Sequence, residues 1–553
     1  MITPRKKPKL LYRNTGKERV MYHTRGCDLD QQLLLPVNMN DWVPEDDPSH
    51  LINDVVSVLD LSEIYATYRQ DGQGAAFYRP DLMMALSLYS YLRGARSSRD
   101  IERECRYDVG YRIVSRNSFP DHTTISRFFQ KYGTTIGKTF VEVLDLMNAA
   151  GLISNKVLAI DGTKLKANAS LDANMTYEKL EAVIASRIRE ILAKDTEEDA
   201  LYGVDRRGDE FPEQFRKRAD RLRYFRAAKQ RLDEEQQSRS EEKKEKIQSR
   251  NDDETKTGKK KRGRKPKPPQ NEPSPDSVAN TTDPDSSIMK TRTHHIQGYN
   301  VQALANQDGI ILASGVTNSA ADYNQLVPMI HELCTVAEQT DIPITNLTLL
   351  ADAGYWCEEN AVAMREQPLQ FLCSTRSERN LFSIQGSSRA LLDLEDLCSG
   401  SAHPSPCHAT RVALGDWCSR FLISDAGILT PPTISKLIME TRMEPSAMKM
   451  KYSRRKVIIE PIFGWIKENR GIRKVQRRGL ANCDNEWKLI CLTQNLKAVI
   501  SRGWTSKLKS AIVARKKNII GIAGAALAEL SECYLMTRSL NGETCACFTR
   551  SFG

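Results

Sequence analysis

Two short apolar runs constrain this chain more than any other feature. Residues 157–163 read VLAIDGT and residues 347–355 read LTLLADAGY, and each carries an aspartate at or near its end. An apolar run of this length bounded by turn residues reads as a buried strand. A carboxylate placed there loses hydration and is stable only if something positive meets it. Two of them on the sheet of one domain, Asp161 and Asp352, point to a shared divalent cation. Oxygen ligands favour the hard ions Mg²⁺ or Mn²⁺. Each aspartate taken alone reads equally as a turn cap beside Gly162 or Gly354.

Further elements surround these strands. GYNVQALANQDG and IILASGVT, from Gly298 to Thr317, predict a hairpin turned at Asp308-Gly309. SAADYNQLVPMIHELCTVAEQ predicts a helix, with Asp322 read as its cap in preference to a metal ligand, and FLCST (371–375) one more strand. Strands alternating with helices around an open sheet predict an α/β domain.

The first 150 residues have another character. Residues 1 to about 75 read as a poorly periodic leader. From Pro80, the residues Leu82, Met83, Leu86, Tyr89 and Leu92 follow one helical face, which Gly94 ends. A second helix begins at Ser97 or Ser98, and a third is capped by Asp121 or Thr123 and stopped by Gly133. Three short capped helices with a basic tally suit a helix-turn-helix-like DNA reader, and equally a small helical packing domain.

Charge marks the middle of the chain. Residues 176–250 read as long charged helices, coiled-coil in style, too polar to bury much beyond Glu234. Residues 251–287 read as a linker by composition, and within it KKKRGRKPK (259–267) holds seven Lys or Arg in nine residues. RGRKP resembles the AT-hook, whose arginines, here Arg262 and Arg264, enter the narrow minor groove. Lys265 displaces the second proline of that motif, so non-specific phosphate contact is the expectation. The whole chain carries 81 Lys and Arg against 70 Asp and Glu, a net +11 that favours a polyanionic partner.

A third carboxylate, Glu460, lies in RRKVIIEPIFGWIKENRGIRKVQRRGL among Arg454, Arg455, Lys456, Lys467, Arg470, Arg473, Lys474, Arg477 and Arg478. Pro461 suits the first turn of a helix, which would put Glu460 at that helix's start. One acid among so many cations makes sense where a metal and DNA phosphates meet. The competing reading is a surface helix with ordinary ion pairs, each worth little.

LAIDGTKLKANAS, TDPDSSIMKT followed by QGYNVQA, LLADAGY, and IEPIFGWIKENRGIRKVQRRGL resemble, in that order, the core blocks of DDE-type insertion-sequence transposases. RPDLMMALSLYSYLRGARSSRDIEREC and PDHTTISRFFQKYG resemble the N-terminal domain that precedes this core in one large branch. The resemblance implies a ribonuclease-H-like mixed sheet in which Asp161, Asp352 and Glu460 are the catalytic acids and bind two metal ions, Mg²⁺ with Mn²⁺ as the alternative. Asp161 is the expected bridge between them. It also implies double-stranded DNA as substrate, both element ends and target, and a homodimer or higher oligomer on that DNA. The family often places a Tyr, an Arg and a Lys around the Glu, with two, three and six residues between successive members. Lys467 fits the last place. Lys456 holds the Arg place and Ser453 the Tyr place, with Tyr452 and Arg455 each one residue out of step. Lysine lacks the bidentate fork of arginine, so weaker phosphate gripping is expected there. Tyr452, Arg455, Lys456, Lys467, Arg470 and Arg473, with Arg127 from the third helix, are the expected DNA contacts.

The resulting scheme has a helical DNA-binding region (1–150), a split catalytic core (151–175 and 288–500), a charged helical insertion (176–250), a basic and Pro-rich linker (251–287) and a basic tail (501–553). The rival reading is a catalytically impaired, domesticated DNA-binding protein derived from such an element. Tyr355, Trp356 and Asn360 follow the second aspartate, and the aromatics read either as base-stacking platforms or as core beneath the sheet. Cys398, His403, Cys407, His408 and Cys418 lack the spacing of a zinc site and read as isolated thiols. No nucleotide-binding loop is seen. The longest apolar run, Ile519–Ala528, is too short to cross a membrane. With no secretory pattern and thirteen scattered cysteines, the expectation is a cytoplasmic protein, nucleoid-associated if bacterial.

Overall fold

The computed structural model describes residues 10–12, 21–23, 38–68, 76–202, 213–257, 268–291, 293–365, 367, 369–375, 439, 442–443 and 446–521. They fall into two compact units, Met1–Asp47 and Pro48–Gly553. In the first, β1 (Leu10–Tyr12) pairs antiparallel with β2 (Met21–His23). A 3₁₀ turn at Met39–Trp42 follows, capped by the Asn38 side chain, which accepts from Asn40 N–H at 3.0 Å.

The second unit opens with six helices: α1 (Pro48–Val56), α2 (Ser62–Tyr65), α3 (Pro80–Arg93), α4 (Ser98–Tyr107), α5 (Val109–Val114) and α6 (His122–Ala149). The first two lie in the stretch expected to be a leader. Pro48 suits a first helical position, and Leu51, Ile52, Val55 and Val56 bury one face. Helix α3 ends at Gly94, in the left-handed conformation at φ 87°, as its sequence predicts. Asp121 caps α6 by accepting from the N–H groups of Thr123 and Thr124. Gly133 does not stop that helix. The apolar stripe continues through Ile136, Phe140, Val143, Leu144 and Met147, all buried, so the helix runs on and merely kinks at Tyr132 (φ −113°, ψ 18°).

Next comes β3 (Val157–Lys166), then β4 (Asn174–Thr176), α7 (Tyr177–Tyr202), α8 (Glu213–Thr257) and β5 (Val278–Asn280). The stretch beyond Glu234 continues α8 as helix to Thr257. Leu180, Ala228, Leu232 and Ala279 form a small core of their own beside the main one. Lys229 meets Glu181 at 2.7 Å across the two helices. Strands β4 and β5 pair antiparallel and join the two ends of the excursion. Closure at the neck is what allows a long insertion to leave a sheet intact. Part of the expected linker is therefore ordered. Asn280 donates to the Ser170 carbonyl at 2.8 Å, and Asp283 accepts from Tyr299 Oη at 2.9 Å and Gly479 N–H at 3.0 Å. Several polar residues that compose like a linker find protein partners here, although the second carboxylate oxygen of Asp283 has none.

The remaining elements are β6 (Ser287–Lys290), β7 (His295–Asn306), β8 (Ile311–Thr317), α9 (Leu326–Thr340), β9 (Leu347–Ala351), α10 (Glu358–Ala363), β10 (Leu369–Cys373), α11 (Ser446–Gly464) and α12 (Leu480–Ser501). The main sheet runs β10-β9-β3-β7-β6, with β8 also paired to β7. Strands β3, β7 and β8 are antiparallel neighbours, whereas β9 and β10 run parallel to β3. The architecture is a mixed α/β fold around a mixed sheet. The β7–β8 hairpin turns at Gly309 (φ 69°), as expected. Trp487 of α12 is fully buried and donates to the Gln302 carbonyl at 2.8 Å, and Asn495 satisfies both the N–H and the carbonyl of Ile311 at 2.8 Å. Among the described residues no helix is long and apolar enough to cross a membrane.

Candidate functional site

Strand pairing sets the first two acids side by side. Ile160 of β3 lies opposite Ala351 of the parallel β9, so the next residue of each strand, Asp161 and Asp352, emerges at the same end of the sheet. Helix α11 lies against β3, β7 and β9. Its buried residues Arg455, Ile458, Ile459, Ile462 and Phe463 follow helical spacing, and Tyr452, one turn earlier, donates to the Ala351 carbonyl at 3.2 Å. Glu460 sits one position off that face and is half exposed.

One guanidinium joins all three acids. Arg455 Nη1 lies 3.4 Å from Asp161 Oδ2, and Nη2 lies 3.5 Å from Asp352 Oδ1 and 3.9 Å from Glu460 Oε1. The arginine side chain is 9% exposed, against 23% for Asp161, 52% for Asp352 and 53% for Glu460. The cation is thus the buried member, and the acids face it from the rim. Burial pushes the Asp161 carboxyl up to about 6. The Gly162 N–H and Arg455 oppose that rise, and Asp352 and Asp322 add to it.

Pro461 does not begin a helix, because α11 runs through it. Its ring removes an N–H and crowds the preceding turn. A few residues on, the helix widens into a π turn at Trp465–Asn469, closed by Arg470 N–H on the Trp465 carbonyl at 3.1 Å. Lys467, in that turn, donates to Thr163 Oγ1 and to the Lys164 carbonyl at 3.1 Å. Thr163 is two residues from Asp161, hence on the same face of β3. Burial lowers the Lys467 pKa, and Arg473 adds to the effect.

Asp322 was expected to cap a helix, and its side chain makes no cap bond. It accepts instead from Asn300 Nδ2 at 2.8 Å and Gln302 Nε2 at 3.1 Å, two alternate residues of β7. Tyr355 is fully buried and donates to Gln302 Oε1, so it is core beneath the sheet rather than a stacking platform. Trp356 is partly buried against the same core. Asn360 Nδ2 braces the carbonyls of Tyr323 at 2.6 Å and Tyr355 at 2.8 Å. Sequence reasoning missed Asn300 and Gln302, although amides at alternate places in a strand buried along nearly its whole length are a readable signal.

The expected DNA contacts divide sharply. Arg455 is turned to the acids, while Lys456 and Ser453 are exposed, so the residues one place out of step are those that face the site. Arg470 is not a surface contact. It is 8% exposed and donates to the Tyr91 carbonyl and Thr493 Oγ1 at 2.6 Å, the Ile490 carbonyl at 3.2 Å and Gln494 Oε1 at 3.3 Å. The π turn directs it inward between α3 and α12. Arg473 is exposed and paired with Glu468, and Arg127 is exposed on α6. Arg262, Arg264, and the cysteines and histidines from Cys398 to Cys418 lie outside the described residues.

The donor set suits a hard cation, since three carboxylates already converge on one positive group. Among the described residues no three His, Cys, Asp or Glu side chains stand close enough together to ligate one ion in this conformation.

Residues 37–131 match the family model described as Transposase domain (DUF772), and residues 429–500 match that described as Transposase DDE domain. The second match takes in Arg455, Glu460 and Lys467, and Asp161 and Asp352 lie outside it. No curated protein and no solved structure gave a match.

Proposed function

This chain belongs to the DDE-type insertion-sequence transposases, and from that premise we propose that it cuts the ends of its element and joins them to target DNA at the Asp161–Asp352–Glu460 site. DNA is the substrate that the family implies, and such enzymes generally use divalent ions. The observation that carries the residue assignment is the contact of Arg455 with all three acids, which come from two strands and a helix far apart in sequence. The antiparallel β3-β7-β8 part of the sheet, followed by parallel β9 and β10, supports a ribonuclease-H-like core.

Asp161, Asp352 and Glu460 would hold the metal, preferably Mg²⁺, with Mn²⁺ as a substitute. Bound there, two such ions would supply activation of water or of a 3′-hydroxyl and stabilisation of the departing 3′-oxygen. The protein's own groups do the rest. Arg455 balances the acids and offers a planar fork that suits a phosphate. Lys467, anchored on β3, adds a fixed positive charge beside Asp161, where a phosphate next to the acids would meet it. The six helices from α1 to α6, most of which fall in the first family match, would read the element's terminal repeats. Joining two ends implies at least a dimer on DNA.

The test is Mg²⁺-dependent nicking and strand transfer on labelled element-end DNA, with Asp161→Ala, Asp352→Ala and Glu460→Ala compared with the parent chain. Loss in every variant with DNA binding retained supports the proposal. An inactive parent that binds its genuine ends tightly overturns it in favour of a domesticated DNA-binding protein.

A further inference from the structure

The site holds more acid than the three residues above. Asp322 stands just before a short 3₁₀ turn and is held by two amide donors, Asn300 Nδ2 at 2.8 Å and Gln302 Nε2 at 3.1 Å. Gln302 is itself fixed, because its Oε1 accepts from the buried Tyr355 hydroxyl. The glycines that follow the two catalytic aspartates give this carboxylate its room. A β-carbon on Gly162 would fall 2.8 Å from Asp322 Oδ1, and one on Gly354 would fall 3.6 Å from Oδ2. Each oxygen of Asp322 therefore lies against the backbone beside one of the proposed catalytic aspartates, and the carboxylate approaches Asp161 across β3, from the face opposite that side chain.

A second observation points to a missing partner. Asn300 is 1% exposed and its Oδ1 has no hydrogen-bond partner, although Nδ2 of the same amide rests on Asp322. A buried amide oxygen left bare beside a carboxylate is costly in a finished structure. It is an acceptor waiting for a donor, and a hydrated cation brings donors. Small divalent ions shed water reluctantly and keep several of their waters when bound.

We propose that Asp322 and Asn300 Oδ1 accept hydrogen bonds from the water shell of the divalent cation held by Asp161 and Asp352, making Asp322 a fourth acid of the site. This rests on the metal-site reading above and adds to it a group that acts through water. Gln302 and Tyr355 then serve as positioning residues that keep the Asp322 carboxylate aimed at the two glycines. Removing an outer partner of a metal site typically weakens metal binding about 10–100-fold.

Two measurements on the full chain test this. Mn²⁺ binding is followed by the electron paramagnetic resonance signal of free Mn²⁺ for the parent and for Asp322→Asn, which keeps the acceptor toward Asn300 and Gln302 but removes the charge. The expected result is Mn²⁺ affinity lowered about tenfold or more with an unchanged melting curve. A variant that binds Mn²⁺ within about twofold of the parent overturns the proposal. The second needs no variant. Fe²⁺ with ascorbate and peroxide cuts backbone near the bound ion, and mass spectrometry maps the cuts. Cuts around residue 322 as well as around 161 and 352 are expected, and cuts at the latter two alone overturn the inference. A parent chain that binds no Mn²⁺ at all fails the metal-site reading itself, which keeps the two failures distinct.

Discussion

Arg455 Nη1 donates to Asp161 Oδ2 at 3.4 Å, tying α11 to a strand 294 residues earlier in the chain. That bond, with the reach of Nη2 to Asp352 and Glu460, makes a single guanidinium the counter-charge of the whole site. On the proposed metal-site reading, a cation that binds the acids would take over the charge that Arg455 balances.

Replacing Arg455 with alanine should destabilise the metal-free protein. Breaking a buried pair from one side costs about 3–5 kcal/mol, and the lower end applies because two of the three acids are half exposed. Equilibrium denaturation measures the loss. Added Mg²⁺ should restore part of it in the variant, by replacing the missing charge. A variant as stable as the parent without metal would mean that the acids do not depend on Arg455.

Arg470 and Arg473 should separate cleanly. Arg470→Met removes hydrogen bonds to two carbonyls and two side chains between α3 and α12, and should cost about 2–4 kcal/mol of stability. Its folded fraction should keep the parent's salt dependence of DNA binding. Arg473→Ala should leave stability within about 0.5 kcal/mol. If Arg473 exchanges Glu468 for a phosphate, its removal lowers the salt slope of DNA affinity by about one. Binding isotherms over a range of salt concentrations, with melts in parallel, read both.

Glu486 joins the helical region to the basic segment after the π turn. Its side chain is 1% exposed, accepts from the Gln476 and Arg477 N–H groups at 2.8 and 2.9 Å, and lies 3.4 Å from Arg96. Glu486→Ala should destabilise by about 3–5 kcal/mol, since it leaves a nearly buried arginine without its counter-charge and two N–H groups unpaired. The midpoint in urea at constant slope reports this loss.

Gly162→Ala and Gly464→Ala should behave oppositely. A β-carbon at Gly162 would meet Gln302 Nε2 at 2.3 Å and Asp322 Oδ1 at 2.8 Å, so the network beside Asp161 must shift. Metal affinity should fall with it. Gly464 has open space at the last residue of α11, and alanine there should be neutral or stabilising by up to about 1 kcal/mol. Melting curves and Mn²⁺ titrations on both variants decide.

Much of this was legible in the sequence for a physical reason. Strands buried on both faces have little freedom in composition, so VLAIDGT and LTLLADAGY announced themselves together with their aspartates. The hairpin turn at Gly309 and the stop at Gly94 each needed a positive φ that glycine supplies. What was missed depends on tertiary partners. Gly133 looked like an end because local propensity cannot weigh the apolar stripe beyond it. Arg470 looked like a DNA contact because a basic run gives no sign of which member a π turn directs inward. Lys456 seemed to hold the arginine place by counting, yet the face of α11 that packs on the sheet selects Arg455. Asp322 read as a cap because its two amide partners lie on another strand.

The most direct test of the central claim is Mn²⁺ binding by the full chain, parent beside Asp161→Asn, Asp352→Asn and Glu460→Gln. If the three acids form one cation site, the parent binds and each substitution weakens binding by at least about tenfold in a chain that is still folded at the assay temperature. Parent-like affinity in any one of the three would remove that acid from the site, and parent-like affinity in all three would contradict the account.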